Sequence, residues 1–158
     1  MFDVILYEPE IPPNTGNAMR LCANSGLRLN LIEPLGFALE DRLLRRAGLD
    51  YREWAEVDVY PTLEVCLGEL CPPRLFAFTT RGSTLYTAPH YEAGDAFLFG
   101  PETRGLPQAV LDTLPPERRI YIPMRPGNRS LNLSNAVAVV AFEAWRQTGF
   151  EGAFQREA

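Results

Sequence analysis

The chain has 158 residues, 46% of them apolar and 22% charged, which is the size and balance of one compact domain able to bury a core without disulfide staples. Its formal net charge of −5 excludes a polyanion binder that works by bulk charge, so a nucleic-acid partner would have to meet a local basic surface. All 15 basic residues are Arg, which genome composition or growth temperature explains as readily as function, so position carries more than number.

In chain order, Phe2 to Tyr7 is a short apolar run and predicts a buried strand, with Pro9 to Pro13 a rigid turn. Asn14 is suited to cap a helix that runs to Ser25 and stops at Gly26. Leu27 to Ile32 predicts a second strand. Leu39 to Ala47 predicts a helix with Arg42, Arg45 and Arg46 on one face. Val57 to Tyr60 is a weak strand, and Pro61 opens a helix to Leu70 before Pro72-Pro73. Leu75 to Thr80 and Ala96 to Phe99 are strands, Pro107 to Leu114 a short helix, Ile120 to Ile122 a strand, and Leu131 to Thr148 the longest helix. The stretch Arg81 to Gly94 has no clear pattern. Alternating strands and helices predict an α/β domain with a mostly parallel sheet flanked by helices, filling residues 1–158.

Cys22, Cys66 and Cys71, with His90 the only His, are too few and badly spaced for a structural metal site. They read as reduced thiols, mostly buried. The first strand starts at Phe2 and no apolar run approaches 18 residues, so a cytoplasmic protein without a leader or membrane span is expected. In the last helix, residues from Ala136 to Phe142 are apolar all round. A subunit interface, or burial against both sheet and loops, would each account for that.

Three segments carry candidate chemistry. Asn14-Thr15-Gly16-Asn17-Ala18-Met19-Arg20 follows a strand, at the kind of strand-to-helix turn where open α/β sheets place ligands. Phe99-Gly100-Pro101-Glu102-Thr103-Arg104-Gly105-Leu106-Pro107 is a stiff loop after a buried strand. It has no GxGxxG or GxxxxGK[ST] pattern, which argues against a pyrophosphate cradle. Arg125-Pro126-Gly127-Asn128-Arg129 leads into Ser130-Leu131-Asn132-Leu133-Ser134-Asn135 before the final helix. Capping explains one Ser or Asn there more easily than four.

In order and spacing these segments resemble the SPOUT methyltransferases, over essentially the whole chain. The opening Leu6-Tyr7-Glu8-Pro9-Glu10-Ile11-Pro12-Pro13-Asn14 and Arg45-Arg46-Ala47-Gly48-Leu49-Asp50-Tyr51 look closest to the short bacterial tRNA (cytidine/uridine-34)-2'-O-methyltransferases. The resemblance implies a C-terminal deep trefoil knot, a homodimer, S-adenosylmethionine as methyl donor and the tRNA anticodon loop as substrate, with no DNA partner. It assigns donor binding to Phe78, Thr79, Gly100, Glu102, Ile122, Met124, Ser130, Leu131 and Asn132, in the loops 78–80, 99–105 and 120–135. Glu102 and Asn132 would also support the knot loops. Arg20, with Asn14 beside it, would act at the ribose hydroxyl. RNA phosphates would meet Arg42, Arg45, Arg46, Arg125 and Arg129. Phe142 stands where some relatives carry Tyr, and Phe78 where Leu is common, the second departure mattering little if backbone makes that contact. The same resemblance admits a ribosomal RNA or another tRNA site as substrate, and a non-catalytic RNA-binding protein is the competing class.

Overall fold

The computed structural model describes residues 1–38 and 57–154. Seven strands form one sheet: β1 (Asp3–Tyr7), β2 (Arg28–Ile32), β3 (Val57–Tyr60), β4 (Leu75–Phe78), β5 (Thr84–Leu85), β6 (Ala96–Phe99) and β7 (Arg119–Tyr121). Their spatial order is β3-β2-β1-β6-β4-β7-β5, and every pairing is parallel. Among the described residues the α-helices are α1 (Pro12–Ser25), α2 (Leu63–Leu70), α3 (Gln108–Asp112) and α4 (Leu133–Gln147).

Alternation along the strands sorts the apolar side chains into two layers. Val4, Leu6, Leu29, Leu31, Phe97 and Phe99 face one way and are covered by Ala18, Met19 and Cys22 of α1 and Val137, Val140, Ala141 and Ala144 of α4. Ile5, Ile32, Ala77 and Leu98 face the other way, onto Leu63 and Cys66 of α2 and Leu111 of α3. The α/β architecture predicted from the sequence is therefore present, with α1 packed beside α4 on one face. Burial pushes the thiols of Cys22 and Cys66 up to about 12, so both stay protonated at neutral pH. Cys71 is exposed, and all three are free.

Several boundaries differ from expectation for local reasons. Asn14 does not cap α1: the helix starts three residues earlier than such a cap would allow, with Ile11 at the N-cap and Pro12-Pro13 in the first turn, where proline's missing N–H costs nothing. The Asn14 side chain is thereby released for other contacts. Helix α2 begins at Leu63 rather than Pro61, because the Thr62 hydroxyl accepts from the Val65 N–H at 3.3 Å. In α4 the cap is Asn132, whose side-chain oxygen accepts from the N–H groups of Ser134 (3.0 Å) and Asn135 (3.3 Å). Strand β7 ends one residue before Ile122. Within Arg81–Gly94 the chain adds the two-residue strand β5 at the sheet edge. The predicted helix from Leu39 to Ala47, with Arg42, Arg45 and Arg46, lies outside the described residues.

One stripe of the last helix is in the core, but Val139 and Phe142 remain 37% and 49% exposed. Among the described residues, sheet and loops do not fully cover this face.

Charged groups gather at the N-terminal edge of the sheet. Asp3 at the start of β1 holds Arg28 of β2 at 2.7 Å, and buried Asp95, just before β6, holds Arg74 through two bonds of 2.8 and 2.6 Å. The opposite edge carries close backbone approaches instead. A Cβ on Gly82 would lie 2.5 Å from the Ile120 carbonyl carbon, and one on Gly100 would lie 2.3 Å from the Leu106 nitrogen. Gly100→Ala is expected to cost about 3 kcal/mol, as other overpacked sites do, and so to lower Tm by roughly 6–12 °C in a domain of this size. Scanning calorimetry checks it. An unchanged Tm would mean that the loop yields to the methyl group.

Candidate active site

At the C-terminal edge of β4, β6 and β7 the chain forms a cleft of about 540 Å³, at the end of an open α/β sheet where ligands characteristically bind. Phe78 and Phe99 end β4 and β6. Their rings stack at a centroid distance of 4.8 Å, and both are buried. Ile122, Met124 and Leu131 supply further apolar wall, and Gly100 through Gly105 forms the opposite side. All nine residues expected to hold the donor, Phe78, Thr79, Gly100, Glu102, Ile122, Met124, Ser130, Leu131 and Asn132, line this one cleft.

A hydrogen-bonded relay ties the three sequence motifs together at its side. The Glu102 carboxylate accepts from the Glu10 N–H (2.8 Å), the Ile11 N–H (3.1 Å) and the Asn14 amide (3.1 Å). The Asn14 side-chain oxygen accepts from the Asn132 amide at 2.8 Å. Asn132 closes the relay by capping α4 and accepting from the Ser134 hydroxyl at 2.7 Å. Three donors converge on Glu102 and tie the loop that carries it to the opening segment and to α1. Asn14 is 5% exposed, with both ends of its amide in use. It lines the cleft but is committed to holding loops together.

Arg20 lies six residues beyond Asn14 on α1, about 9 Å along the axis and on another side of the helix. It is exposed and does not line the cleft. Arg129 lines the cleft and Arg125 does not; both are exposed. Sequence reading missed Ile11, Arg81 and Ala136, which also line it. Arg81 donates to the Leu106 carbonyl and the Gln108 side chain, both at 2.8 Å, and so ties the end of β4 to the start of α3. Its place just after a strand end was the available signal.

The arrangement offers an apolar slot, backbone-rich loops and an adjoining helix that carries an exposed arginine. These features suit a small ligand that carries both an apolar surface and several polar groups, beside a surface open to a second substrate. The geometry agrees with what the comparisons find. Residues 1–142 match the model of the SpoU rRNA Methylase family. A tRNA (cytidine(34)-2'-O)-methyltransferase of Burkholderia ambifaria is 62% identical over 154 residues, covering 96% of this chain and 99% of its own. One of Escherichia coli K12 is 57% identical over 157 residues, covering 99% of this chain and 100% of its own. A protein whose structure was solved for insights into the 2-OH methylation of C/U34 on tRNA superposes with a TM-score of 0.86 at 43% identity, over 94% of this chain and 97% of that one. With nine-tenths of its length matched by the family model and its motifs joined around one cleft, the chain belongs to the SpoU rRNA methylase family.

Proposed function

We propose that this protein transfers a methyl group from S-adenosylmethionine to the ribose 2'-oxygen of the wobble nucleotide, cytidine or uridine 34, of tRNA. The observation that carries this reading is near-full-length identity of 57% to 62% to tRNA (cytidine(34)-2'-O)-methyltransferases in a chain whose three motifs meet at one cleft. That identity favours tRNA over ribosomal RNA despite the family's description. The intact relay and Arg20 favour catalysis over simple RNA binding.

The cleft fits the donor. Its volume is within the usual small-molecule range of roughly 300–1,000 Å³. Phe78, Phe99, Ile122 and Leu131 would face the adenosyl part, with the backbone of 100–105 and 130–132 for its polar groups. When bound, the donor supplies a sulfonium-activated methyl group. The protein's work is then alignment of the hydroxyl oxygen with that methyl, worth roughly 7–11 kcal/mol in favourable cases, and stabilisation of the oxygen as it loses its proton. Arg20 takes the second role. A guanidinium is a poor base, since its pKa lies above about 12, but a good donor to developing negative charge. Its place outside the cleft suits a group that meets RNA rather than donor.

Arg129 at the cleft and Arg125 in the same loop, with Arg42, Arg45 and Arg46, would meet RNA phosphates. The close approach of Gly82 to Ile120 is compatible with the trefoil knot that the resemblance implies. No described helix is long and apolar enough to cross a membrane, and a cytoplasmic location follows from the tRNA substrate. A homodimer belongs to the same reading. Exposed Val139 and Phe142 on α4 offer apolar surface that a second copy would cover. Val139→Glu with Phe142→Glu is expected to yield a folded monomer where the parent sediments as a dimer at micromolar concentration, since burying charge without a partner opposes association. A double variant that stays dimeric would place the interface elsewhere.

The function is tested by incubating the protein with donor and bulk tRNA and identifying the modified nucleoside by mass.

A further inference from the structure

The opening segment Glu8-Pro9-Glu10-Ile11 carries two carboxylates to which methyl transfer assigns no role. Their contacts with the cleft loop are reciprocal. Glu102 of that loop accepts the N–H groups of Glu10 and Ile11. Glu10 in return accepts the Thr103 N–H at 3.1 Å and the Thr103 hydroxyl at 2.7 Å. Glu8 pairs with Arg104. Three consecutive loop residues, 102 to 104, are thus each tied to the opening segment.

That segment is itself held firmly. Glu8 adopts φ 47°, a left-handed conformation that non-glycine residues seldom take, while its N–H donates to the Ile32 carbonyl at 3.0 Å. The Gly36 N–H donates to the Pro9 carbonyl at 2.9 Å. A Cβ on Gly36 would come within 2.7 Å of the Glu10 Cα, so the two backbones touch. Thr103 and Arg104 line the cleft, whereas Glu8 and Glu10 do not.

We propose that Glu10, assisted by Glu8, is a positioning residue for the methyl donor: the clasp fixes the loop at 103–104 in the shape the donor requires. This rests on the cleft being the donor site. Residues 103 and 104 sit in a surface loop, and ordering such a loop only on binding lowers affinity. With the clasp in place that ordering precedes the ligand. Glu10 itself does not line the cleft, so its loss weakens donor binding and leaves the chemical step intact.

The test is calorimetric titration of S-adenosylhomocysteine into the parent and folded variants, with donor kinetics on tRNA. Glu10→Ala is expected to weaken binding about tenfold, equivalent to about 1.4 kcal/mol. Glu10→Gln should stay within about threefold, because its oxygen still accepts the Thr103 N–H and its amide can donate to the hydroxyl. Thr103→Val should weaken binding about threefold, and adding it to Glu10→Ala should cost little more, as for residues acting through one contact. KM for the donor should rise while kcat at saturation stays within about twofold. A role in stability alone would move Tm and leave the affinity of the folded protein unchanged, and that result overturns the proposal. If Glu10→Ala does not fold, Thr103→Val decides: unchanged affinity overturns the clasp. A parent that binds no S-adenosylhomocysteine at millimolar concentration refutes the donor site itself, and the clasp with it.

Discussion

Replacing Arg20 with alanine is expected to reduce methyl transfer by about 10²–10³-fold or more, the loss seen when one donor to a developing oxyanion is removed, while S-adenosylhomocysteine binds within about threefold of the parent, too small a change to account for the lost rate. The two halves of this expectation come from one observation. Arg20 lies on α1 and is not among the residues that line the cleft, so its replacement should leave the cleft itself unchanged. Arg20→Lys should recover only part of the activity, because an ammonium lacks the planar fork of a guanidinium. Single-turnover methylation at saturating donor and tRNA separates the chemical step from binding. A variant that loses donor affinity as steeply as activity would make Arg20 a donor-binding residue.

The second large effect belongs to Glu102. Glu102→Ala strands two backbone N–H groups and the Asn14 amide, all of which donate to its carboxylate. Water can reach some of these groups, so a loss of stability of about 2–3 kcal/mol is expected rather than the full sum of three unpaired donors. Donor affinity should fall at least about tenfold, since the relay from Glu102 through Asn14 to Asn132 joins three residues that line the cleft. Glu102→Gln should rescue poorly. All three partners are donors, and an amide would turn its own N–H toward the Glu10 N–H. This contrasts with Glu10, where one partner is a hydroxyl and Gln suffices. Thermal melts and donor titrations on the same samples measure both effects. A Glu102→Gln variant as stable and as tight-binding as the parent would show that the charge is not needed.

Much of the fold was legible because its signals are local. Parallel strands buried on both faces read as apolar runs, and Gly26 stops α1 in a left-handed conformation, φ 69°, as expected. Helix starts were less legible. Asn14 looks like a cap, yet Pro12-Pro13 can begin the helix without one, and the side chain is drawn away by Glu102, 88 residues distant in sequence. Strand β5 is two residues long and exists only because β7 is there to pair with. The nine residues expected to hold the donor came from the family resemblance. Periodicity and capping arguments marked the loops but could not show that they converge. The roles of Glu8 and Glu10 were invisible for the same reason, since no local rule connects Glu10 with Thr103. The uncovered face of α4 was half legible: the excess of apolar residues showed in the sequence, and only the packing shows that Val139 and Phe142 are left out of the core.

The central claim, ribose methylation at the wobble position, is tested most directly by digesting tRNA after reaction with the protein and labelled S-adenosylmethionine, then locating the label by mass. The label is expected in 2'-O-methylcytidine or 2'-O-methyluridine at position 34, formed about 10²–10³-fold more slowly when Arg20→Ala replaces the parent. Label on a base, on another tRNA position, or on ribosomal RNA alone would contradict it.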